Sequence, residues 1–108
     1  MTQKQLPNPA QNFRKRYPEV WTAFNDLGDR CHAAGPLDEK TRRLVKVALS
    51  MGAALEGATH SAVRNAKKAG ITPDEINHVA VLAVSTLGLP AAMRAYTWAS
   101  DRYRGTKS

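Results

Sequence analysis

The sequence holds one cysteine, Cys31. A lone thiol excludes an intrachain disulfide, a CxxC redox pair and a Cys-rich zinc site. Its neighbours Asp29 and Arg30 offer no clear stabilisation of a thiolate, so Cys31 reads as a packing residue rather than a nucleophile. Three histidines are present (His32, His60 and His78), but their spacing matches no HxxxH or HxH metal site. No metal or other cofactor is expected. No apolar run is long enough to span a bilayer, because Ala80 to Leu89 is short and contains Ser85 and Thr86. The polar start Thr2, Gln3, Lys4 and Gln5 is not followed by an apolar signal core. The expectation is a cytoplasmic protein with no membrane partner. Alternating strand patterns, fixed-length repeats and low-complexity blocks are all missing.

What remains is a basic, helical chain. The 108 residues suffice for one modest core, with 43% apolar and 23% charged residues. The net charge of +7 raises nucleic acid, membrane surfaces and anionic ligands as partners. The positive residues are scattered, however, and no helix reads as a basic stripe interleaved with aromatics. A solvated basic surface is the favoured reading, and nucleic acid is not expected.

Residues 1–8 read as a loose arm. Asn8 and Pro9 start a first helix as cap and first-turn residue, carrying Phe13 towards Tyr17. Pro18 opens a second helix, in which Val20, Trp21, Phe24 and Leu27 form an apolar stripe predicted to be core. Gly35-Pro36 stops it. A third helix runs from Leu37-Asp38-Glu39 to about Leu55, with Leu44, Ala48, Met51 and Leu55 on one face. It turns apolar on all sides after its charged start, and such a helix needs cover on all sides. Another subunit is the natural source of that cover. Gly57 is predicted to break the backbone, with a fourth helix capped near Thr59 and ended by Gly70. There Val63 and Ala66 face inward while Arg64, Lys67 and Lys68 are wet. Thr72-Pro73-Asp74-Glu75 is a capping box that opens a fifth helix running to about Leu87. A sixth starts at Pro90 and carries Met93, Tyr96, Trp98 and Ala99. The third and fifth helices are the expected centre. The expected organisation is a single all-α domain of about six helices over residues 9–104, with 105–108 as a fraying tail.

The run Leu37-Asp38-x-Lys40-Thr41-Arg42-x-Leu44 leads into the small-residue segment from Ala53 to Arg64. Val63-Arg64-x-Ala66-x-x-x-Gly70-Ile71-Thr72-Pro73-Asp74-Glu75-Ile76 and Leu87-Gly88-Leu89-Pro90-Ala91-Ala92 follow. Together they resemble the carboxymuconolactone decarboxylase family, which includes the alkylhydroperoxidase D-like proteins. The resemblance covers about residues 36–100. It implies an all-α fold assembled as a ring, commonly a homotrimer or hexamer. It also implies one of two chemistries: peroxide reduction by a CxxC pair with a Glu and His relay, or decarboxylation of a carboxylate-bearing lactone. Counted back from Gly70, the family's cysteines fall at Leu55 and Ala58, its motif histidine at Ala62 and its relay glutamate at Arg43. The motif is therefore degenerate. Peroxide reduction needs an attacking thiolate and a resolving thiol, and Leu and Ala supply neither.

Glu56 and His60 remain as candidate catalytic residues. At i and i+4 they share a helix face if the helix continues through Gly57, and a carboxylate beside an imidazole suits acid–base chemistry. Arg43 or Arg64 would hold a small anionic substrate through paired N–H donors. The alternative is structural, with Glu56 as a capping residue and His60 as a partly buried core histidine. Three functions follow for weighing: a decarboxylase-like enzyme of this family acting on a small carboxylate-bearing molecule; a non-catalytic oligomer binding a small molecule or a protein; and, least favoured, peroxide reduction through Cys31.

Overall fold

A computed structural model describes the backbone over residues 8–105 and the side chains over residues 8–100. Six α-helices account for most of it: α1 (Pro9–Arg16), α2 (Pro18–Ala33), α3 (Glu39–Gly52), α4 (Glu56–Lys68), α5 (Pro73–Leu87) and α6 (Leu89–Gly105). Among the described residues there is no strand, so the all-α expectation holds. No helix is long and apolar enough to cross a membrane. Residues 1–7 and 106–108, expected as loose ends, lie outside the described residues. Contacts divide the chain into two compact units, Met1–Pro36 and Leu37–Ser108.

The first unit is α1 followed by α2. Asn8 caps α1, its Oδ1 accepting the Gln11 N–H at 2.7 Å. Pro18 then disfavours a helical conformation at the residue before it, and Tyr17 takes φ −132°, ψ 63°. Trp21 N–H still reaches Tyr17 O at 3.0 Å, so α2 begins at once. The aromatic rings continue across this joint, Phe13 lying 5.3 Å from Tyr17 and 6.2 Å from Trp21 between centroids. Neither helix contains a buried residue. Val20, Phe24 and Leu27 were predicted core and are instead exposed, at 56%, 61% and 58%. Helical spacing makes a stripe, but only a facing surface makes it a core.

The second unit is a four-helix arrangement. α3 touches α4, α4 touches α6, α6 touches α5, and α5 closes the ring on α3. Val47 and Met51 of α3, Val63 and Ala66 of α4, Ile71 of the connection after α4, Ile76 and Ala80 of α5, and Ala95 and Ala99 of α6 meet inside. Ile76, Val47 and Val63 are fully enclosed. Burial of each such side chain stabilises the fold by about 1.5–3 kcal/mol relative to leaving it exposed. The core is thus shared by all four helices rather than centred on α3 and α5. On α3 the inward face is Val47, Ser50 and Met51, whereas the predicted Leu55 is exposed. Among the described side chains of α6 the buried positions are Ala92, Ala95 and Ala99, while the larger Met93 and Tyr96 are exposed. Alanines at this spacing leave room for close approach of the neighbouring helices.

Two connections set the register. Ala69 ends α4, and Gly70 adopts φ 89°. Ile71 N–H donates to Ala66 O and Gly70 N–H to Lys67 O, each at 3.0 Å, which is a Schellman closure. Ile71 and Ala66 are both buried, supplying its apolar contact. The predicted capping box follows: Thr72 Oγ1 accepts Glu75 N–H at 3.1 Å, and Glu75 Oε1 accepts Thr72 N–H at 2.9 Å. Glu75 Oε2 also receives Lys40 Nζ at 2.5 Å, tying the start of α5 to the start of α3. The Lys40 ammonium, ahead of the Thr72 N–H, holds the Glu75 carboxyl below its ordinary range.

Candidate functional site

The joint between α3 and α4 differs from the sequence reading, and the difference assembles the candidate site. α3 ends at Gly52, not near Leu55, and Ala54 takes the left-handed conformation with φ 58°. Leu55 N–H donates to Ser50 O at 3.1 Å and Ala54 N–H to Met51 O at 3.0 Å, a second Schellman closure. The turn therefore falls before Glu56, and Gly57, predicted to break the chain, lies in the first turn of α4. Thr59, predicted as a cap, is fully buried inside the helix, its Oγ1 donating to Leu55 O at 2.8 Å. Leu55 takes the cap position without a side-chain cap bond. Because the helix begins early, Glu56, His60 and Arg64 fall at i, i+4 and i+8 along one side of α4.

The side chains on that line are not bonded to one another. Glu56 is exposed, and among the described residues no ion pair joins it to His60. His60 is half-buried, and its Nε2 is enclosed with no hydrogen-bond partner. Arg64 is exposed and donates from Nη2 to Ser61 Oγ at 3.2 Å. Arg43 lies on α3, the helix packed against α4. Its Nη2 stands 3.6 Å from Glu39 Oε2, and its Nε is likewise buried without a partner. A buried polar atom left unpaired costs about 1–3 kcal/mol, so two on adjacent helices call for an explanation. An imidazole nitrogen can accept or donate depending on tautomer, while guanidinium Nε only donates.

The other expected positions sort simply. Leu55 and Ala58 are exposed, and Ala62 packs at the margin of the core. Cys31 and His78 are exposed, and His32 is half-buried. Among the described residues no group of three or more His, Cys, Asp or Glu side chains could hold a metal ion.

Glu39, as the partner of Arg43, was missed by the sequence reading, although the i, i+4 spacing signals it. A groove between α3 and α5 was also missed. Its volume is about 380 Å³ and its lining includes Leu44, Val45, Ala48, Met51, Leu82 and Leu87. The signal was present in the apolar residues surrounding both helices, which the sequence reading assigned to burial.

Six helices, with no strand among the described residues, place the chain in the all-α class. The family model of the carboxymuconolactone decarboxylase family matches residues 18–101, and the chain belongs to that family. A relative from Methanocaldococcus jannaschii, itself an uncharacterized protein, is 29% identical over 83 residues, covering 76% of this chain and 80% of the relative.

Proposed function

We propose that the chain binds a small carboxylate-bearing molecule beside α4 and acts on it by acid–base chemistry at His60. The observation that carries this reading is the enclosed, unpartnered Nε2 of His60, in the segment where the family resemblance places an active site. A ligand that hydrogen-bonds this nitrogen would remove the penalty of an orphaned polar atom. As a neutral imidazole, His60 would take a proton from a carbon or oxygen next to the substrate carbonyl and return it later in the reaction. Glu56, one turn away on the same side of α4, would be its acidic partner. Arg43, with its unpartnered Nε, or Arg64 would hold the carboxylate. Thiol peroxidase chemistry has no support from these residues, since Leu55 and Ala58 occupy the cysteine positions.

A second reading is a non-catalytic oligomeric binding protein. It is favoured by the lack of a bond between Glu56 and His60, and by the exposed Val45 and Leu49 on α3 and Val81, Leu82 and Val84 on α5. Self-association as a trimer or hexamer would cover such side chains.

Calorimetric titration with small oxo acids and carboxylate-bearing lactones, paired with a turnover assay on the same compounds, separates the readings. The enzyme reading expects saturable binding and a turnover abolished by His60→Ala. Binding without turnover favours the second. If His60→Ala and Arg43→Gln left both measurements unchanged, the site would be misplaced.

A further inference from the structure

Arg43 and Arg64 both stand as holders of a ligand carboxylate, but the fold leaves them in different states. Arg64 is exposed and already donates from Nη2 to Ser61 Oγ at 3.2 Å. The Arg43 side chain is only 25% exposed, and its Nε is buried without a partner. Arg43 is therefore the guanidinium that gains most from a carboxylate. Within the chain the acid that faces it is Glu39, with Oε2 3.6 Å from Nη2. That separation makes an ion pair but is too long for a hydrogen bond. We propose that Glu39 is a built-in competitor for the ligand: its carboxylate stands at Arg43 in the free protein and is displaced when a ligand carboxylate grips Nε and Nη2 together. This inference rests on the reading that the site takes a carboxylate, and adds the residue that sets how tightly Arg43 holds it.

Three features support displacement of Glu39. The first is geometry. Nε–H and one N–H of Nη2 point side by side from a guanidinium and form one of the forks that a carboxylate grips with both oxygens. A ligand on that fork shares Nη2 with Glu39, and two carboxylates at one nitrogen repel. The second is burial. The Arg43 side chain is 25% exposed and that of Glu39 is 59% exposed, so packing holds the base while the acid has room to swing into water. The third is the place of Glu39 on its helix. It is the first residue of α3, where a negative charge suits the helix dipole whether or not it touches Arg43. The cap of α3 is Asp38, whose Oδ1 accepts Thr41 N–H at 2.8 Å, so moving Glu39 leaves the helix start closed. An ion pair with so exposed a partner is weak, and its loss corresponds to about a two- to fivefold change in affinity. Glu39 thus lowers the affinity of Arg43 for a carboxylate without blocking it.

The test follows the Arg43 Nε–H resonance in proton–nitrogen correlation spectra, identified by its disappearance in Arg43→Lys. Sodium acetate is the probe, a bare carboxylate, titrated with ionic strength held constant by sodium chloride. In the parent chain acetate should shift the resonance saturably. Glu39→Gln should tighten acetate binding about two- to fivefold. Glu39→Asp keeps the charge but withdraws it by one methylene, and should tighten binding in the same direction. Asp74→Asn removes one exposed negative charge from α5 and should leave the affinity unchanged. Circular dichroism checks the helix content of each variant; if Glu39→Gln loses helix, Glu39→Asp carries the comparison. Equal acetate affinity in the parent, Glu39→Gln and Glu39→Asp overturns the competitor role and leaves Arg43 as a carboxylate ligand. Equal tightening by Asp74→Asn and Glu39→Gln, or tightening by Glu39→Gln with none by Glu39→Asp, reduces the effect to net charge and overturns it too. No acetate-dependent shift in any variant overturns both this inference and the assignment of Arg43 to the site.

Discussion

The ends of α3 and α4 are closed by the same pair of backbone hydrogen bonds, yet they use different residues in the left-handed position. After α4 it is Gly70, with φ 89°; after α3 it is Ala54, with φ 58°. Their following residues differ as well, since Ile71 is 3% exposed and Leu55 is 54% exposed. One closure is thus free of side-chain strain and anchored in the core. The other carries a strained alanine and has its apolar residue outside. The second closure is also the one that leads directly into Glu56 and His60. Strain is tolerated where neighbouring structure over-determines the backbone, and it concentrates at functional segments.

Four substitutions test this contrast. The largest effect is expected for Ile71→Ala, which empties a site beside Ala66 in the core and should cost about 2–4 kcal/mol in chemical denaturation. Leu55→Ala, its counterpart, should stay within about 0.5 kcal/mol of the parent. Equal losses would remove the distinction between an anchored and an unanchored closure. Gly70→Ala comes next. Its added Cβ meets nothing within 4 Å, so the cost is conformational, about 1–2 kcal/mol. Ala54→Gly should act in the opposite direction, raising stability by up to about 1 kcal/mol as the left-handed strain is relieved. A loss there would show that the Ala54 side chain contributes contacts that outweigh the strain.

The smallest effect concerns Glu75, just beyond the Gly70 closure. Its carboxyl is held below the ordinary range by the Lys40 ammonium and then by the Thr72 N–H. A depressed folded-state pKa contributes stability that is present above the unfolded value and lost as pH falls through the folded one. Glu75→Gln should therefore lower the melting temperature slightly near neutrality, and the difference should vanish in acid. A difference that persisted below the titration of Glu75 would point to a role other than its charge.

Much of the fold was legible because its signals are local. Asn8 with Pro9, and Thr72-Pro73-Asp74-Glu75, announce helix starts through bonds made within three residues. Gly70 announces a helix end because only glycine enters that conformation without strain. The α3–α4 joint was misread by the same logic. Gly57 looked like the breaker, but a glycine in the first helical turn is tolerated, while Ala54 bears no outward mark of a left-handed backbone. Phe24 and Leu27 were assigned to the core on helical spacing, whereas on α6 burial runs against side-chain size. Met93, Tyr96, Phe24 and Leu27 are exposed, while Ala92, Ala95 and Ala99 are buried. Helical periodicity gives a face, whereas the separation between helices decides whether large or small side chains fit there.

The candidate site divides in the same way. Glu56 and His60 were readable as a line on one helix face if the helix ran through Gly57, since i, i+4 spacing is a property of sequence. That the helix passes through Gly57 and makes this line real was decided by the turn at Ala54. That His60 and Arg43 each keep an unpartnered buried nitrogen was also a tertiary matter, because burial depends on neighbours distant in sequence. The sequence by itself determined an all-α chain, the helix starts at Pro9, Pro18 and Pro73, and the absence of a redox cysteine pair. Only the tertiary structure decided which apolar faces meet, leaving the groove between α3 and α5 open. The physical reason is that caps and turns are closed by bonds between near neighbours, whereas packing is settled by whichever surfaces the whole chain brings together.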